Sequence, residues 1–315
     1  MKVLYTPGGE YGDCIVKHFD LNFYDDGNAD DVLFWGWQSL DNNELKDKYE
    51  GSKNKILLNT VMPCEIIGGF IDVLKQYYFD NVYTICPYTA NVLNGIDDKI
   101  NNTKFIPICF PYPEKHFEKF NNISIDDKTH DVIYYGQVHH SMYKNLLKTI
   151  SNHNHLFSTI SQYGLDNDTE KLVTHFNLSS QEKWDLISKA KINVGINLIF
   201  LRIDQIQNLK SIENINAFKN IDKAYEMAML PQMKTRMVEA AACKTLMLIY
   251  KDDWNVIEEW FEPNKHFLYW ENFEQLDEMI SEISKNYQNY WHIVEAAHQH
   301  VKQYSIDNLI KKINK

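Results

Sequence analysis

Lys234-Thr235-Arg236-Met237-Val238-Glu239-Ala240-Ala241-Ala242-Cys243-Lys244-Thr245-Leu246-Met247-Leu248-Ile249-Tyr250 reads as a short helix with small residues, 234–242, running almost without a loop into a strand, 245–250. The strand is a near-continuous apolar run, the pattern of a strand buried on both faces, and the helix before it packs on the sheet. Two cations, Lys234 and Arg236, stand at the helix start, and a single acid, Glu239, lies about one turn beyond Arg236. Free amides at a helix N-terminus, reinforced by cations, suit a diphosphate, and a carboxylate one turn along can accept hydrogen bonds from a ribose diol. The same spacing also fits an i,i+3 surface pair on an amphipathic helix, a common arrangement of little energetic weight.

Outward from this segment the alternation of apolar run and helix continues in both directions. Towards the C-terminus follow a helix at 254–261, a short strand at 268–270, a helix at 273–285 and a helical stretch at 289–312 that weakens at Tyr304-Ser305. Towards the N-terminus lie a strand at 192–198, a helix at 179–190 opened by a Ser cap with Glu182 three residues on, and a strand at 157–161. Before these come a helix at 143–150 and a strand at 131–135 closed by Gly136. The first part of the chain repeats the rhythm, with β-type runs at 2–6, 31–37, 55–59, 81–86 and 104–110 and a crossover helix at 65–78. Between the two series, Phe110-Pro111-Tyr112-Pro113 and the polar stretch 121–130 read as a linker. The expected fold is α/β, with two doubly wound Rossmann-like domains facing across a cleft. The expected division is 1–120, 121–295 with a helical insertion at about 199–233, and a final helix at 296–315 crossing back to the first domain.

The 315 residues exceed the usual size of one hydrophobic core, and 44% hydrophobic with 24% charged residues excludes disordered and fibrous classes. A formal charge of -11 places no general attraction to a polyanion in the average field, so nucleic acid as a partner requires a local basic patch. No window approaches about eighteen consecutive apolar residues, and Met1-Lys2-Val3-Leu4-Tyr5 runs into a turn; a chain without a membrane span, located in the cytoplasm, is expected. Five cysteines, Cys14, Cys64, Cys86, Cys109 and Cys243, show no Cys-x-x-Cys spacing and are read as reduced thiols. The histidine pairs His139-His140, His153/His155 and His298/His300 lack the partners of a metal site.

The segment 234–250, with the Phe261-Glu262-Pro263-Asn264-Lys265-His266 turn, Phe267-Leu268-Tyr269-Trp270 and Phe273-Glu274-Gln275-Leu276, resembles the C-terminal domain of group 1 glycosyltransferases. It is most similar to the short spore-maturation-protein-like (CgeB-type) branch, and the resemblance covers about residues 130 to 310. It implies the two-domain (GT-B) architecture and transfer of a sugar from a nucleoside-diphosphate donor, without a cofactor and without a metal ion. By the same resemblance Glu239 is the acid that holds the nucleotide ribose, and Arg236 and Lys234 are the cations set against the diphosphate. Gly136 and Gln137 match the loop after the domain's first strand and Lys144 the basic position of the following helix, all expected to face one pocket. Many retaining relatives place a second acid where this chain has Pro231, which leaves retention or inversion open.

For the acceptor side, the Gly8-Gly9-Glu10-Tyr11-Gly12-Asp13 turn after the first strand offers Asp13 and Glu10 as catalytic bases, with His18 nearby in sequence. Glu65 and the corner Cys86-Pro87-Tyr88-Thr89 also lie at expected strand ends. Asp166-Asn167-Asp168 has the Asp-x-Asp spacing of a divalent-metal site, but its neighbours Gly164, Thr169 and Glu170 make it a polar turn and helix start. The insertion is expected to act as a lid or acceptor-recognition element, or else only to pack on the second domain or a partner subunit. Acceptors compatible with these readings are a glycan, a protein and a modified nucleic-acid base. The competing classes are a nucleotide-sugar epimerase or phosphorylase-like enzyme with the same two domains, and a catalytically degenerate member that binds glycan or scaffolds a partner.

Overall fold

The computed structural model describes residues 2–5, 31–35, 50, 54–59, 70–95, 103–138, 140–162, 164–210 and 228–313. The chain divides into two compact units, one of Met1–Pro113, Leu198–Met233 and Ile306–Lys315, the other of Glu114–Asn197 and Lys234–Ser305.

In the first unit, β1 (Lys2–Tyr5), β2 (Asp31–Trp35), β3 (Asn54–Asn59), β4 (Asn81–Thr84) and β5 (Lys104–Pro107) form one sheet in that order, and every neighbouring pair is parallel. The crossover helix expected at 65–78 is seen as α1 (Ile71–Gln76), its earlier part lying outside the described residues. A second helix, α2 (Pro87–Gly95), takes the segment read as a corner. Pro87 opens it, where a missing N–H costs nothing and the fixed φ already suits a helix.

The second unit begins with α3 (Glu114–Lys119) and continues through β6 (His130–Tyr135), α4 (Ser141–Ile150), β7 (His155–Thr159), α5 (Asn167–Glu170), β8 (His175–Phe176), α6 (Ser180–Ser188) and β9 (Ala190–Gly195). Next in the chain are β10 (Leu198–Phe200), α7 (Ile203–Lys210) and β11 (Met229–Pro231), which fall in the first unit. The insertion expected at 199–233 in the second domain thus groups with the first unit, because β10 and β11 pair antiparallel with each other and add no strand to the second unit's sheet. The chain then supplies α8 (Thr235–Ala242), β12 (Leu246–Tyr250), β13 (Leu268–Trp270), α9 (Phe273–Lys285) and α10 (Tyr287–Val301) to the second unit, and α11 (Ile306–Ile313) to the first.

The second sheet has the order β13-β12-β9-β6-β7-β8 and is parallel throughout. Val132, Ile133 and Tyr134 of β6, Ile192 and Val194 of β9, and Met247 and Leu248 of β12 are all buried, as strands covered on both faces require. Helix α8 comes close to β9 because Gly195 has no side chain: a Cβ there would collide with Met237. The helix ends where Lys244 enters the left-handed region at φ 51°. The helix expected at 254–261 is only a 3-10 turn, Val256–Glu259. Asp252 accepts hydrogen bonds from the backbone N–H of Trp254 and of Asn255 at 2.8 Å each, and Asn255 sits at φ 48°, a turn that consumes the residues an α-helix would have started from.

Candidate functional site

In an open parallel sheet, ligands bind beyond the carboxyl ends of the strands where the strand order reverses direction. In the second sheet that point lies between β6 and β9: β7 and β8 extend one side, β12 and β13 the other. Three segments meet there. Lys234 donates its backbone N–H to Asn197 Oδ1 at 3.3 Å, the Tyr135 hydroxyl donates to the Arg236 carbonyl at 3.0 Å, and the Arg236 guanidinium lies against Gly136.

Arg236 sits in the first turn of α8 and lies half-buried, its guanidinium carbon 4.9 Å from the centroid of the Tyr134 ring and 5.8 Å from that of Tyr135. Burial opposes its charge, but the neighbouring Tyr134, Tyr143 and Tyr135 prevail and hold its pKa above the ordinary arginine value. A permanent cation therefore stands at the positive end of a helix whose start has no side-chain cap. Gly136 makes room for it: the backbone there is at φ 136°, and a Cβ would come within 2.5 Å of Arg236 Nη2. The Tyr134 hydroxyl donates to the Gln137 carbonyl at 3.0 Å and fixes this turn.

Among the described residues, two buried donors at this place have no hydrogen-bond partner, Arg236 Nη1 and Asn197 Nδ2. Leaving a buried donor unpaired costs roughly 1–3 kcal/mol, and these two stand beside an uncapped helix start, where an acceptor from outside the chain could complete their hydrogen bonds. One turn on, Glu239 is fully buried and its Oε1 accepts a hydrogen bond from Lys183 Nζ at 2.7 Å. The surface-pair alternative for Arg236 and Glu239 is thereby excluded, since the acid is inside the fold and its partner comes from α6.

The structure thus brings Gly136, Lys234, Arg236 and Glu239 together around Tyr134, Tyr135 and Asn197. Gln137 is exposed at the edge of this group. Lys144 is engaged elsewhere, with its Nζ 2.8 Å from Asp166 Oδ2. Asp166 is the N-cap of α5, and hydrogen bonds from Lys144 and Thr169 hold its carboxyl well below the usual range. The Asp166-Asn167-Asp168 stretch is accordingly a helix start. Asp13, Glu10, His18 and Glu65 lie outside the described residues. Among the described residues no group of three or more His, Cys, Asp or Glu side chains is placed to hold a metal ion, and Cys86, Cys109 and Cys243 are buried free thiols.

Sequence reasoning missed Asn197, Lys183 and the two tyrosines. Asn197 had a signal, a polar amide inside the otherwise largely apolar run 192–198. Lys183 had none, because a lysine near the start of an amphipathic helix reads as solvated.

Residues 141–314, more than half of the chain, match the family described as glycosyl transferase-like. The chain belongs to the glycosyl transferase-like family. Solved structures share its fold. An Anabaena protein, Alr3699/HepE, in complex with UDP-glucose aligns with a TM-score of 0.60 at 7% identity, covering 99% of this chain and 90% of the other. A glycosyltransferase from Rickettsia africae ESF-5 aligns with a TM-score of 0.58 at 12% identity, over 99% of this chain and 88% of that one. TarM aligns with a TM-score of 0.52 at 12% identity over 96% of this chain, which spans 57% of TarM's length. None of the curated proteins matches the chain. The α/β class with parallel sheets is as the sequence led one to expect, and no described helix is long and apolar enough to cross a membrane.

Proposed function

We propose that the protein moves a sugar from a nucleoside-diphosphate donor to an acceptor hydroxyl, without a metal ion, at the switch point between β6 and β9. The observation that carries this reading is the pair of unpartnered buried donors, Arg236 Nη1 and Asn197 Nδ2, beside the uncapped start of α8. When the bond from the sugar's anomeric carbon to the diphosphate breaks, negative charge grows on the departing phosphate oxygens. Arg236, Lys234 and the free amides of α8 meet that charge with positions fixed beforehand, the role a metal ion plays elsewhere. Glu239 accepts hydrogen bonds from the ribose diol. Gly136 and Gln137 line the diphosphate from the β6 side, and Lys144 of α4 reaches it only by leaving Asp166. Asp13 or Glu10 takes the acceptor's proton. The UDP-glucose held by the Anabaena neighbour supports a donor of this class. The acceptor is a hydroxyl of a glycan, a protein or a modified nucleic-acid base.

Isothermal titration with UDP, GDP and ADP tests the donor assignment. The wild type is expected to bind at least one of them and to hydrolyse the matching sugar nucleotide slowly, and Glu239→Ala is expected to lose about 10- to 100-fold in affinity, the scale of hydrogen bonds to a charged group. Failure of the wild type to bind any of the three would refute the donor site and favour a degenerate, scaffolding member of the family.

A further inference from the structure

Glu239 presents a physical problem that the family match does not address. Its side chain is 0% exposed, so no water solvates the carboxylate. A carboxylate buried without a counter-charge takes up a proton, and a neutral acid no longer offers two acceptor oxygens to a diol. The counter-charge is Lys183, whose Nζ lies 2.7 Å from Glu239 Oε1, while its own side chain remains 26% exposed.

The position of Lys183 is fixed by its helix. Ser179 caps α6 in a reciprocal box with Glu182, whose Oε2 accepts from the Ser179 backbone N–H at 2.9 Å. The next residue, Trp184, is 3% exposed and stacks on Phe120 with ring centroids 5.8 Å apart, which pins the first turns of α6. A lysine this close to a helix N-terminus is disfavoured by the helix dipole, so local propensity does not explain it. Its ammonium instead lies 5.9 Å from the Tyr135 ring centroid, at the edge of the group that holds Arg236. Other titratable groups beside Glu239 include the Tyr135 hydroxyl and the Cys243 thiol. Burial first, and then the Glu239 charge, keep the Tyr135 hydroxyl protonated, and burial, then Glu239 against Lys128, Lys183 and Lys119, keep the Cys243 thiol so. Lys183 of α6 is the cation hydrogen-bonded to the buried carboxylate, 2.7 Å from Glu239 Oε1.

We propose that Lys183 is a positioning residue for the donor site: from the start of α6 it holds the buried Glu239 carboxylate charged and in one orientation before a nucleoside diphosphate arrives. This rests on the assignment of Glu239 to the ribose. In this role Lys183 acts through Glu239 and not on the diphosphate or the reacting carbon.

The test compares UDP, GDP and ADP with inorganic pyrophosphate, which has the diphosphate and lacks the ribose. Lys183→Met is expected to weaken nucleotide binding roughly 10- to 100-fold while pyrophosphate binding stays as in the wild type, which also shows that the variant is folded. The weakened affinity recovers as pH is raised from about 6 to about 9, because Glu239 then loses its proton without help; the wild type is flat over that range. Lys183→Arg restores binding, and Lys183→Met adds nothing in a Glu239→Gln background. If Lys183→Met does not fold, Lys183→Gln takes its place, with the Glu239 carboxyl followed by ¹³C NMR in the absence of nucleotide and expected to titrate at raised pH. Unchanged nucleotide affinity in Lys183→Met, equal loss of nucleotide and pyrophosphate, or a Glu239 carboxyl that stays ionised in Lys183→Gln overturns the role of Lys183 alone. Wild-type affinity in Glu239→Gln, or no nucleotide bound by the wild type, overturns the ribose assignment and the role of Lys183 with it.

Discussion

The two ends of α8 are finished in opposite ways. At its C-terminus the carbonyls are satisfied from within the protein: His298 Nδ1 lies 3.3 Å from the Ala241 oxygen and 2.9 Å from the Ala242 oxygen, and since a carbonyl only accepts, that nitrogen carries the proton. Lys128 Nζ reaches the Cys243 carbonyl at 3.2 Å, the Ser188 carbonyl at 2.8 Å and Thr245 Oγ1 at 3.2 Å. Lys244 is anchored on the Asn121 carbonyl at 2.7 Å and on Glu295 at 2.8 Å. At the N-terminus there is no side-chain cap, and Arg236 Nη1 and Asn197 Nδ2 are buried without partners. One end contributes stability; the other gives some up to keep donors available. Within a single eight-residue helix this separates the requirement of folding from that of binding.

Three substitutions test this contrast. The largest effect is expected for Arg236→Ala, which removes the permanent cation at the open end. Nucleoside-diphosphate affinity in titration falls about 100-fold, while the unfolding midpoint stays level or rises, since an unpaired buried donor has been taken away. A variant that binds normally but unfolds early would show that the N-terminal end is structural after all.

Next is His298→Leu at the closed end, which strands two helix carbonyls and is expected to lower the unfolding free energy by about 1–3 kcal/mol in denaturant titration with nucleotide affinity intact. The reverse pattern would break the division between the two ends. The smallest effect concerns Lys128, whose burial brings its pKa down to about 7 from 10.5. At low pH both folded and unfolded chains hold this proton; between about 7 and 10.5 the folded protein releases it first, so the unfolded state binds more protons and stability rises with pH. The stability difference between wild type and Lys128→Met is therefore expected to shift in favour of the wild type from about pH 7 to about pH 10, and a difference independent of pH would place the lysine in a less confined environment.

The pattern of what was legible follows from the range of the forces involved. The strands of both sheets other than β8 stood out as short apolar runs, whereas His175–Phe176 carries no such run. The 254–261 segment misled because its apolar spacing was helical while Asp252 captured two backbone N–H groups and turned the chain through Asn255. The antiparallel pairing of β10 with β11 joins Leu198 to Pro231 and Phe200 to Met229, partners far apart in the chain, and left no local trace. At the site, Lys234, Arg236, Glu239 and Gly136 could be named because helix starts and glycine turns have a local chemistry. Lys144 had the same kind of local credentials, yet its ammonium is taken by Asp166 from a separate turn.

By itself the sequence determined the α/β class, most of the order of strand and helix in the second unit but not β8 or the 3-10 turn at Val256–Glu259, and a cation-bearing helix start with an acid one turn on, all of which follow from periodicity over neighbouring residues. Only the tertiary structure decided which strands adjoin, and hence that β6 and β9 flank the switch point. It alone showed that Gly136 admits the Arg236 guanidinium and that Glu239 is buried against Lys183. Those facts join residues 56 and 100 positions apart, and no local pattern encodes a contact whose partners come together only when the sheet is assembled.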